Sequence, residues 1–338
     1  MRISFSACKH TVQPLVTFPG GLINMDQLII PRQRRKDKVV VVMGATGTGK
    51  SRLSIDLATQ FRAEIINSDK IQVYRGLDIV TNKVTDEECL DVPHHLLGFV
   101  NPDEDFLAHD FVYHASQAAD AITQRGRLPI IAGGSNSFIK ALVNDDIEFR
   151  SKYECCFLWV DVAMPVLHSF VSKRVDQMVT AGLVEEAKEF FEPAGDYARG
   201  IRRAIGVPEM DEFFRYENIV DGATRAKLLE VAIDQVKLNT CKLACHQLRN
   251  ILRLGEQLER RTHRLDATEA FLKHGEESDE AWERVVAGPG TRIVGRFLYE
   301  DHIDFVSTII APPPLAATAA TSVILGPTNT AAIAAATH

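Results

Sequence analysis

The sequence predicts an α/β protein: a parallel sheet flanked by helices, with a smaller α-helical part toward the C-terminus. Short apolar runs rich in β-branched residues alternate with stretches of helical periodicity over the first half of the chain. A glycine-rich turn joins the first such run to the first helical stretch. Strand signals stop near Glu192, and a long helical pattern then runs from Thr224 to about Glu259.

Four strands are predicted, and helical spacing of apolar residues follows three of them. The first strand is 39–43, the second begins at Ile65 and ends at 67–69, and the others are 128–132 and 156–162. The helices after the first, second and fourth strands have apolar faces that begin at Leu53, Phe111 and Leu167, and the last of these helices opens at Pro165 and closes before Gly182. Because strand and helix alternate, we expect right-handed crossovers and parallel pairing.

The formal charge of −7 is spread unevenly along the 338 residues. Residues 1–38 hold seven Lys/Arg against two Asp/Glu, and the remainder holds 31 against 43. An acidic body without a basic stripe disfavours a large nucleic-acid footprint, because Lys and Arg supply affinity for the phosphate backbone. No run of 18 apolar residues occurs, so we expect no membrane span.

Both ends differ in composition from the body between them. Residues 1–37 mix Ser, Thr, Pro, Gly and basic residues without a sustained period, as in an organelle transit peptide, and the plastid type fits better than the mitochondrial type. A disordered head that targets nothing, in a cytoplasmic protein, is the alternative. Residues 311–338 carry no charge and are expected to be a disordered tail. The body divides into an α/β core at 38–192 and a mainly helical part at 193–310.

Cysteine spacing predicts reduced, structural thiols. None of the six cysteines belongs to a C-x-x-C pair, and no second ligand cluster lies at zinc spacing. This usage fits a reducing compartment. The residues are Cys8, Cys89, Cys155, Cys156, Cys241 and Cys245.

A complete G-x-x-x-x-G-K-[ST] motif lies between the first strand and the first helix, which predicts a P-loop NTPase-like fold. Its backbone N–H groups should converge on phosphate oxygens, with Lys50 neutralising the terminal phosphates and Ser51 ligating Mg²⁺. The motif does not decide between a nucleoside triphosphate and the diphosphate of another substrate. Its residues, called the phosphate loop below, are Gly44, Ala45, Thr46, Gly47, Thr48, Gly49, Lys50 and Ser51.

Two further charged residues stand where a ligand would meet them. Asp69 follows the second strand at the sheet edge that carries the phosphate loop, where a carboxylate can bind Mg²⁺, accept a proton or cap the next helix. Arg174 falls in the middle of the apolar face of the helix opened by Pro165. A buried guanidinium needs a partner, either a buried carboxylate or an anionic ligand.

Motifs distributed along the chain resemble those of the isopentenyltransferase family. This family includes tRNA dimethylallyltransferases and the adenylate isopentenyltransferases of cytokinin synthesis. The resemblance covers residues 38 to 300, and it is strongest to the plant adenylate isopentenyltransferases. The motifs are NSDKIQVYRGLDI (67–79), TNK (81–83), PHHLL (93–97), AGGSNS (132–137), WVDV (159–162), RVDQM (174–178), AIG (204–206) and RLDAT (264–268).

The resemblance implies a role for each candidate residue. The phosphate loop and Arg174 would hold the diphosphate of dimethylallyl diphosphate, Lys83 would be a second cation near it, and Asp69 would be the general base for the adenine N6 amine. Mg²⁺ is the expected cofactor. Acceptor binding is predicted, with a solvated loop or local hydrogen bonds as alternatives, for Ser68, Gln72, Ser135, Arg202, Arg203 and Gln247.

The predicted reaction is transfer of a dimethylallyl group to N6 of AMP, ADP or ATP with release of diphosphate, the first step of cytokinin biosynthesis. A tRNA dimethylallyltransferase is the alternative, disfavoured by the acidic body and the lack of a C-terminal zinc cluster or basic RNA arm. A small-metabolite kinase of the P-loop type is the second alternative, and a non-catalytic nucleotide-binding module the third. We expect a plastid monomer acting on small molecules, in which residues 193–310 complete the substrate channel.

Overall fold

The computed structural model describes residues 36–193, 195–258 and 262–310, with side chains as far as residue 299. Nearly all of the predicted transit peptide and the whole predicted tail therefore lie outside the described residues. The chain divides into two compact units, residues 1–291 and 292–338. The sheet and the candidate site belong to the first unit. In the second unit, the described residues are helical as far as Ile310.

Six parallel strands form one sheet in the order β3-β2-β4-β1-β5-β6. The central strand β1 is buried from Val39 to Met43, because helices cover both faces of the sheet. The predicted fold class is confirmed. The strands are β1 (Asp37–Met43), β2 (Ala63–Asn67), β3 (His94–His95), β4 (Leu128–Gly133), β5 (Tyr153–Asp161) and β6 (Thr262–Asp266).

Helices of very different lengths surround this sheet. The α-helices are α1 (Lys50–Phe61), α2 (Asp86–Cys89), α3 (Ala108–Gln124), α4 (Asn136–Lys140), α5 (Ile147–Lys152), α6 (Met164–Thr180), α7 (Leu183–Glu189), α8 (Asp211–Tyr216), α9 (Gly222–Gln257), α10 (Thr268–Leu272), α11 (Glu276–Trp282) and α12 (Gly288–Ile310). Short 3₁₀ turns lie at Gly200–Arg203 and Pro208–Met210, and π-helical turns at Ala141–Asp145 and Glu283–Ala287. No helix within the described ranges is long and apolar enough to cross a membrane.

The expectation that strands stop near Glu192 is wrong. Strand β6 extends the sheet beside β5, with Phe157 opposite Thr262 and Asp161 opposite Asp266. It is an edge strand in which only Leu265 is buried, so its sequence lacks the apolar run that marks the inner strands. The chain on both sides of residue 192 therefore belongs to one unit.

Residues that favour helix ends lie at both ends of α6 and at the start of α9, two helices that lie beside the site. Helix α6 has Pro165 in its first turn and ends just before Gly182, whose φ of 111° suits a glycine. Helix α9 begins after Asp221, whose carboxylate accepts the backbone N–H groups of Ala223 and Thr224. The two helices pack against each other.

Three loops meet at the carboxyl edge of the sheet, where open parallel sheets bind ligands. The phosphate loop follows β1, the segment with Ser68 and Asp69 follows β2, and the segment from Gly134 to Ser135 follows β4. Because β2, β4 and β1 are neighbours in the sheet, these loops lie side by side.

Candidate active site

The phosphate loop needs glycine where it is crossed by helix α6. Gly47 has a φ of +83°, in the left-handed region. A Cβ added there would lie 2.6 Å from Cγ1 of Val171, a residue of α6. The helix therefore packs directly on the loop backbone, and its side chains are brought to the loop.

Lys50 turns its ammonium group back onto the loop. Its Nζ donates to the carbonyl oxygen of Ala45 at 2.7 Å, and the Thr48 hydroxyl donates to the same oxygen at 3.0 Å. Burial lowers the pKa of Lys50 to about 8, Asp69 opposes the change, and Arg174 adds to it. An anion bound in the loop would stabilise the charged ammonium and raise this pKa again.

Arg174 points inward from α6, as its place on the apolar face predicts. Its Nη2 donates to the hydroxyl of Thr46 at 3.0 Å, while its buried Nε has no hydrogen-bond partner among the described residues. No carboxylate among the described residues forms an ion pair with it, and burial lowers its pKa. The alternative of a buried carboxylate partner is therefore not what the structure shows. A cation with an unused, buried donor at the phosphate loop fits an anionic ligand.

The two carboxylate oxygens of Asp69 have different surroundings. Its Oδ1 accepts from the backbone N–H of Ile71 at 2.9 Å and of Gln72 at 3.4 Å. The carboxylate therefore caps the backbone that follows it, as one of the alternatives predicted, but this backbone forms a turn and not a helix. Its Oδ2 makes no hydrogen bond to a described residue and faces Gly134, whose added Cβ would lie 3.7 Å away. One oxygen fixes the side chain and leaves the other available to a ligand.

Ser68 and Ser135 bring the loop after β4 against the segment that carries Asp69. The N–H of Ser135 donates to the carbonyl of Ser68 at 3.2 Å, and the Ser135 hydroxyl accepts from the N–H of Lys70 at 2.9 Å. A Cβ added at Gly133 would lie 2.3 Å from the Ser68 backbone, so the two segments touch. The buried hydroxyl of Ser68 forms no hydrogen bond with any residue that the structure describes.

Gln247 reaches the site from α9. It is only 8% exposed. Its Oε1 accepts from the N–H of Thr46 at 2.7 Å, and its Nε2 donates to the carbonyl of Gly134 at 3.1 Å. The Gln247 side chain therefore forms hydrogen bonds with the protein, and both of its partners belong to the loops of the candidate site.

Lys83 and Gln72 are engaged with the chain that follows β2. The three donors of the Lys83 ammonium are satisfied by the carbonyls of Tyr74 and Gly76, at 2.6 and 2.8 Å, and by Asp78 at 2.6 Å. The Gln72 amide donates to two carbonyls near Lys83, those of residues 81 and 82, both at 3.0 Å. In this structure both side chains stabilise their own loop, and neither contacts the phosphate loop.

Arg202 and Arg203 likewise have protein partners. Arg202 forms ion pairs with Asp103 and with Glu192, the latter at 2.5 Å. Arg203 donates to the hydroxyl of Tyr74 at 3.2 Å and lies over its ring, yet no described residue accepts a hydrogen bond from its buried Nε. The sequence alternative of a solvated loop does not describe these side chains.

Trp282 is a residue of the site that sequence reasoning missed. It packs on the phosphate loop, where a Cβ added at Gly49 would lie 2.6 Å from its ring. Its Nε1 donates to Asp56 of α1 at 2.8 Å, and Arg52 lies 4.8 Å above the ring. Nothing in the charged stretch around it identifies this partner, which is 226 positions away in the sequence.

Comparison with known proteins gives the family. A family model described as IPP transferase matches residues 72–152 and 146–253, more than half of the chain. Adenylate isopentenyltransferase 5, chloroplastic, of Arabidopsis thaliana is 57% identical over 331 residues, which cover 95% of this chain and 99% of that protein. The chain belongs to the IPP transferase family.

Further relatives and solved structures are similar to this chain over most of their length. Arabidopsis adenylate isopentenyltransferases 3, chloroplastic, and 7, mitochondrial, are 53% and 54% identical, over 89% and 88% of this chain and 91% and 90% of theirs. A solved eukaryotic dimethylallyltransferase acting on tRNA has a TM-score of 0.68 at 23% identity, over 78% of this chain and 80% of that chain. The tRNA isopentenylpyrophosphate transferase of Bacillus halodurans gives 0.63 at 25% identity, over 80% and 100%.

Proposed function

We propose that this IPP transferase moves the dimethylallyl group of dimethylallyl diphosphate to N6 of an adenine nucleotide and releases diphosphate. Relatives that are more than half identical to it over the aligned residues are named adenylate isopentenyltransferases, which supports this reading. The observation that carries it is the Arg174 guanidinium at the phosphate loop, whose buried Nε has no hydrogen-bond partner and which has no acidic partner among the described residues. An anion would supply both the acceptor and the opposite charge, and the diphosphate of the prenyl donor is an anion.

Lys50, Arg174 and the loop amides would act on the leaving group. As the bond between the allylic carbon and oxygen breaks, its electron pair moves to the diphosphate, and negative charge builds there. Cations and N–H groups already in place stabilise that charge without reorganisation. When the diphosphate binds, the Lys50 ammonium would form a hydrogen bond with it in place of the bond to the Ala45 carbonyl.

Asp69 would act on the acceptor. The lone pair of the adenine N6 amine is delocalised into the ring, so the amine is a poor nucleophile. As the bond from N6 to carbon forms, the free Oδ2 of Asp69 takes the N6 proton. Such general-base catalysis typically contributes about 10²- to 10⁴-fold. The cap on Oδ1 keeps the carboxylate oriented for this transfer.

Magnesium fits the donor set of the site. No group of three or more His, Cys, Asp or Glu that could hold a metal occurs within the described ranges. Mg²⁺ is usually held by substrate phosphates with one or two protein ligands, and the exposed Ser51 hydroxyl at the start of α1 suits that arrangement. When bound, the ion supplies further neutralisation of the departing diphosphate.

We also propose a free nucleotide rather than tRNA as acceptor, a monomer as the working form, and the plastid as its location. The nucleotide is supported by the names of the relatives. The plastid is supported by the basic head and by relatives named chloroplastic, although one is named mitochondrial.

One incubation tests the proposed reaction. The full chain is mixed with Mg²⁺ and dimethylallyl diphosphate, and then in separate reactions with AMP, ADP, ATP or unmodified tRNA. Mass spectrometry should find a five-carbon group on N6 of at least one nucleotide. If none of the acceptors is modified, the proposed function is wrong, and if only tRNA is modified, the proposed acceptor is wrong.

A further inference from the structure

The side chain of Gln247 joins two loops that serve different substrates in the proposed reaction. Through Oε1 it holds the N–H of Thr46, in the loop assigned to the donor. Through Nε2 it holds the carbonyl of Gly134, in the loop after β4. Its own backbone carbonyl accepts from Asn136 at 3.2 Å, which ties α9 to the same loop a second time.

The loop after β4 in turn fixes the position of Asp69. The backbone bond from Ser135 to Ser68 and the bond from Lys70 to the Ser135 hydroxyl hold the residues directly before and after Asp69 in the sequence. Gly134 lies between the two groups: its added Cβ would be 2.4 Å from the Nε2 of Gln247 and 3.7 Å from the Oδ2 of Asp69. A shift of the Gln247 amide would therefore be passed to the carboxylate through this loop.

Only a group with both an acceptor and a donor can make the two bonds of Gln247. A primary amide has both, whereas a carboxylate is acceptor-only, and a thioether offers no strong donor or acceptor. The site is buried, so a broken bond would not be replaced by water at low cost.

We infer that Gln247 is a positioning residue, whose amide sets the spacing between the phosphate loop and the carboxylate of Asp69. This rests on the proposed function, because the spacing matters only if donor and acceptor react across it. It assigns Gln247 a role different from the contact with the acceptor that its sequence position suggested.

The first test replaces the amide by an apolar chain of similar length, Gln247→Met. We expect kcat for prenyl transfer to fall about 30- to 100-fold, as for a misplacement of about 1 Å, with the KM for dimethylallyl diphosphate within about threefold of wild type. Gln235→Met is the matched control, since Gln235 is exposed on the same helix, and it should keep wild-type kcat. A Gln247→Met enzyme with wild-type kcat, or with donor affinity reduced as much as kcat, overturns the inference.

A second variant tests the need for both a donor and an acceptor. In Gln247→Glu, the ionised carboxylate can accept from Thr46 but cannot donate to Gly134, whereas the protonated acid can do both. We expect the ratio of variant to wild-type kcat to rise as the pH falls. The ratio is used because it cancels any pH dependence that the two enzymes share. A ratio that stays flat or falls contradicts the inference. If Gln247→Met does not fold, two other results decide whether the inference holds. One is this pH profile, and the other is Gly134→Ala, whose added Cβ would displace the Gln247 amide and should also lower kcat.

Hydrogen exchange separates a failure of this inference from a failure of the proposed function. In Gln247→Met, amides of the phosphate loop and of residues 133–137 should exchange faster together, whether or not the enzyme prenylates a nucleotide. If wild type transfers no prenyl group, the function is wrong while the joint exchange can still show the coupling of the loops. If the two loops keep wild-type exchange, the inference is wrong.

Discussion

Replacing Arg174 by methionine should change donor binding and protein stability in different directions. The change removes the guanidinium and keeps an unbranched side chain on the same helix face. Within the part of the chain that the structure describes, the group donates to the hydroxyl of Thr46, and its buried Nε has no hydrogen-bond partner. Its loss therefore leaves no buried carboxylate behind.

The magnitudes follow from those contacts. A hydrogen bond to a charged group contributes about 1.5–3 kcal/mol, so the loss of one bond to the diphosphate should weaken its binding by about 10- to 100-fold. Breaking a buried ion pair would cost about 3–5 kcal/mol of folding free energy, because an unpaired charge would remain. Since Arg174 has no such partner within the described residues, the free energy of unfolding should stay the same or rise.

Two measurements on the same protein decide between these outcomes. Calorimetric titration with dimethylallyl diphosphate gives the Kd, and urea unfolding without ligand gives the stability. Lys173→Met is the control, because Lys173 is exposed on the same helix and should change neither value. A loss of several kcal/mol in stability with unchanged donor affinity would refute the reasoning and show that Arg174 has a structural ion-pair partner.

Three further perturbations follow from the site. Asp69→Asn keeps an oxygen to cap the turn but removes the base, so single-turnover transfer should slow by about 10²- to 10⁴-fold with little change in donor Kd. Because the pKa of Lys50 is about 8 in the free protein, its ammonium is charged below that pH, and donor affinity measured by calorimetry should weaken as the pH rises through 8. Trp282→Ala removes a buried ring beside Gly49 and should cost about 3–5 kcal/mol of unfolding free energy in urea.

Each of these expectations has a contrary outcome. Donor affinity lost together with turnover in Asp69→Asn would indicate a metal-binding or structural role for the carboxylate. The Lys50→Arg enzyme is the control for the pH series, since arginine stays charged, and an equal decline in both enzymes would exclude Lys50 as the group that titrates. Trp159→Ala is a comparison for Trp282, because the indole nitrogen of Trp159 has no hydrogen bond to lose within the described ranges. A larger loss of unfolding free energy in Trp159→Ala than in Trp282→Ala would contradict the reasoning.

The sequence predicts those strands and helices whose apolar residues follow a recognisable spacing within the element itself. The inner strands are buried on both faces and read as apolar runs, whereas β6 is a polar edge strand stabilised by pairing with β5, which no local pattern reveals. Arg174 was identifiable because a charge interrupts a helical apolar face. Helical periodicity also placed Gln247 on a core face, but its two partners lie more than 100 positions away in the sequence.

Resemblance and motif spacing could not show how the candidate cations are used. Lys83 lies in a motif that suggests a phosphate contact, yet three oxygen atoms of its own loop surround its ammonium. Arg202 is neutralised by acids from two other segments. Whether a cation remains available to a ligand depends on tertiary contacts. Arg174, Arg202 and Arg203 each have a buried Nε without a hydrogen-bond partner among the described residues, and of these three it is Arg174 that lies at the phosphate loop.

The contact between Trp282 and the phosphate loop bears on when the donor site can form. During synthesis the N-terminal part of a chain emerges first, so the glycine-rich loop is exposed long before its indole partner has been made. Contacts across so large a sequence separation also form late in folding, because the intervening chain must first be ordered. We therefore expect nascent chains that end before residue 282 to lack affinity for the donor, and the protein to gain it only when most of the first unit has folded.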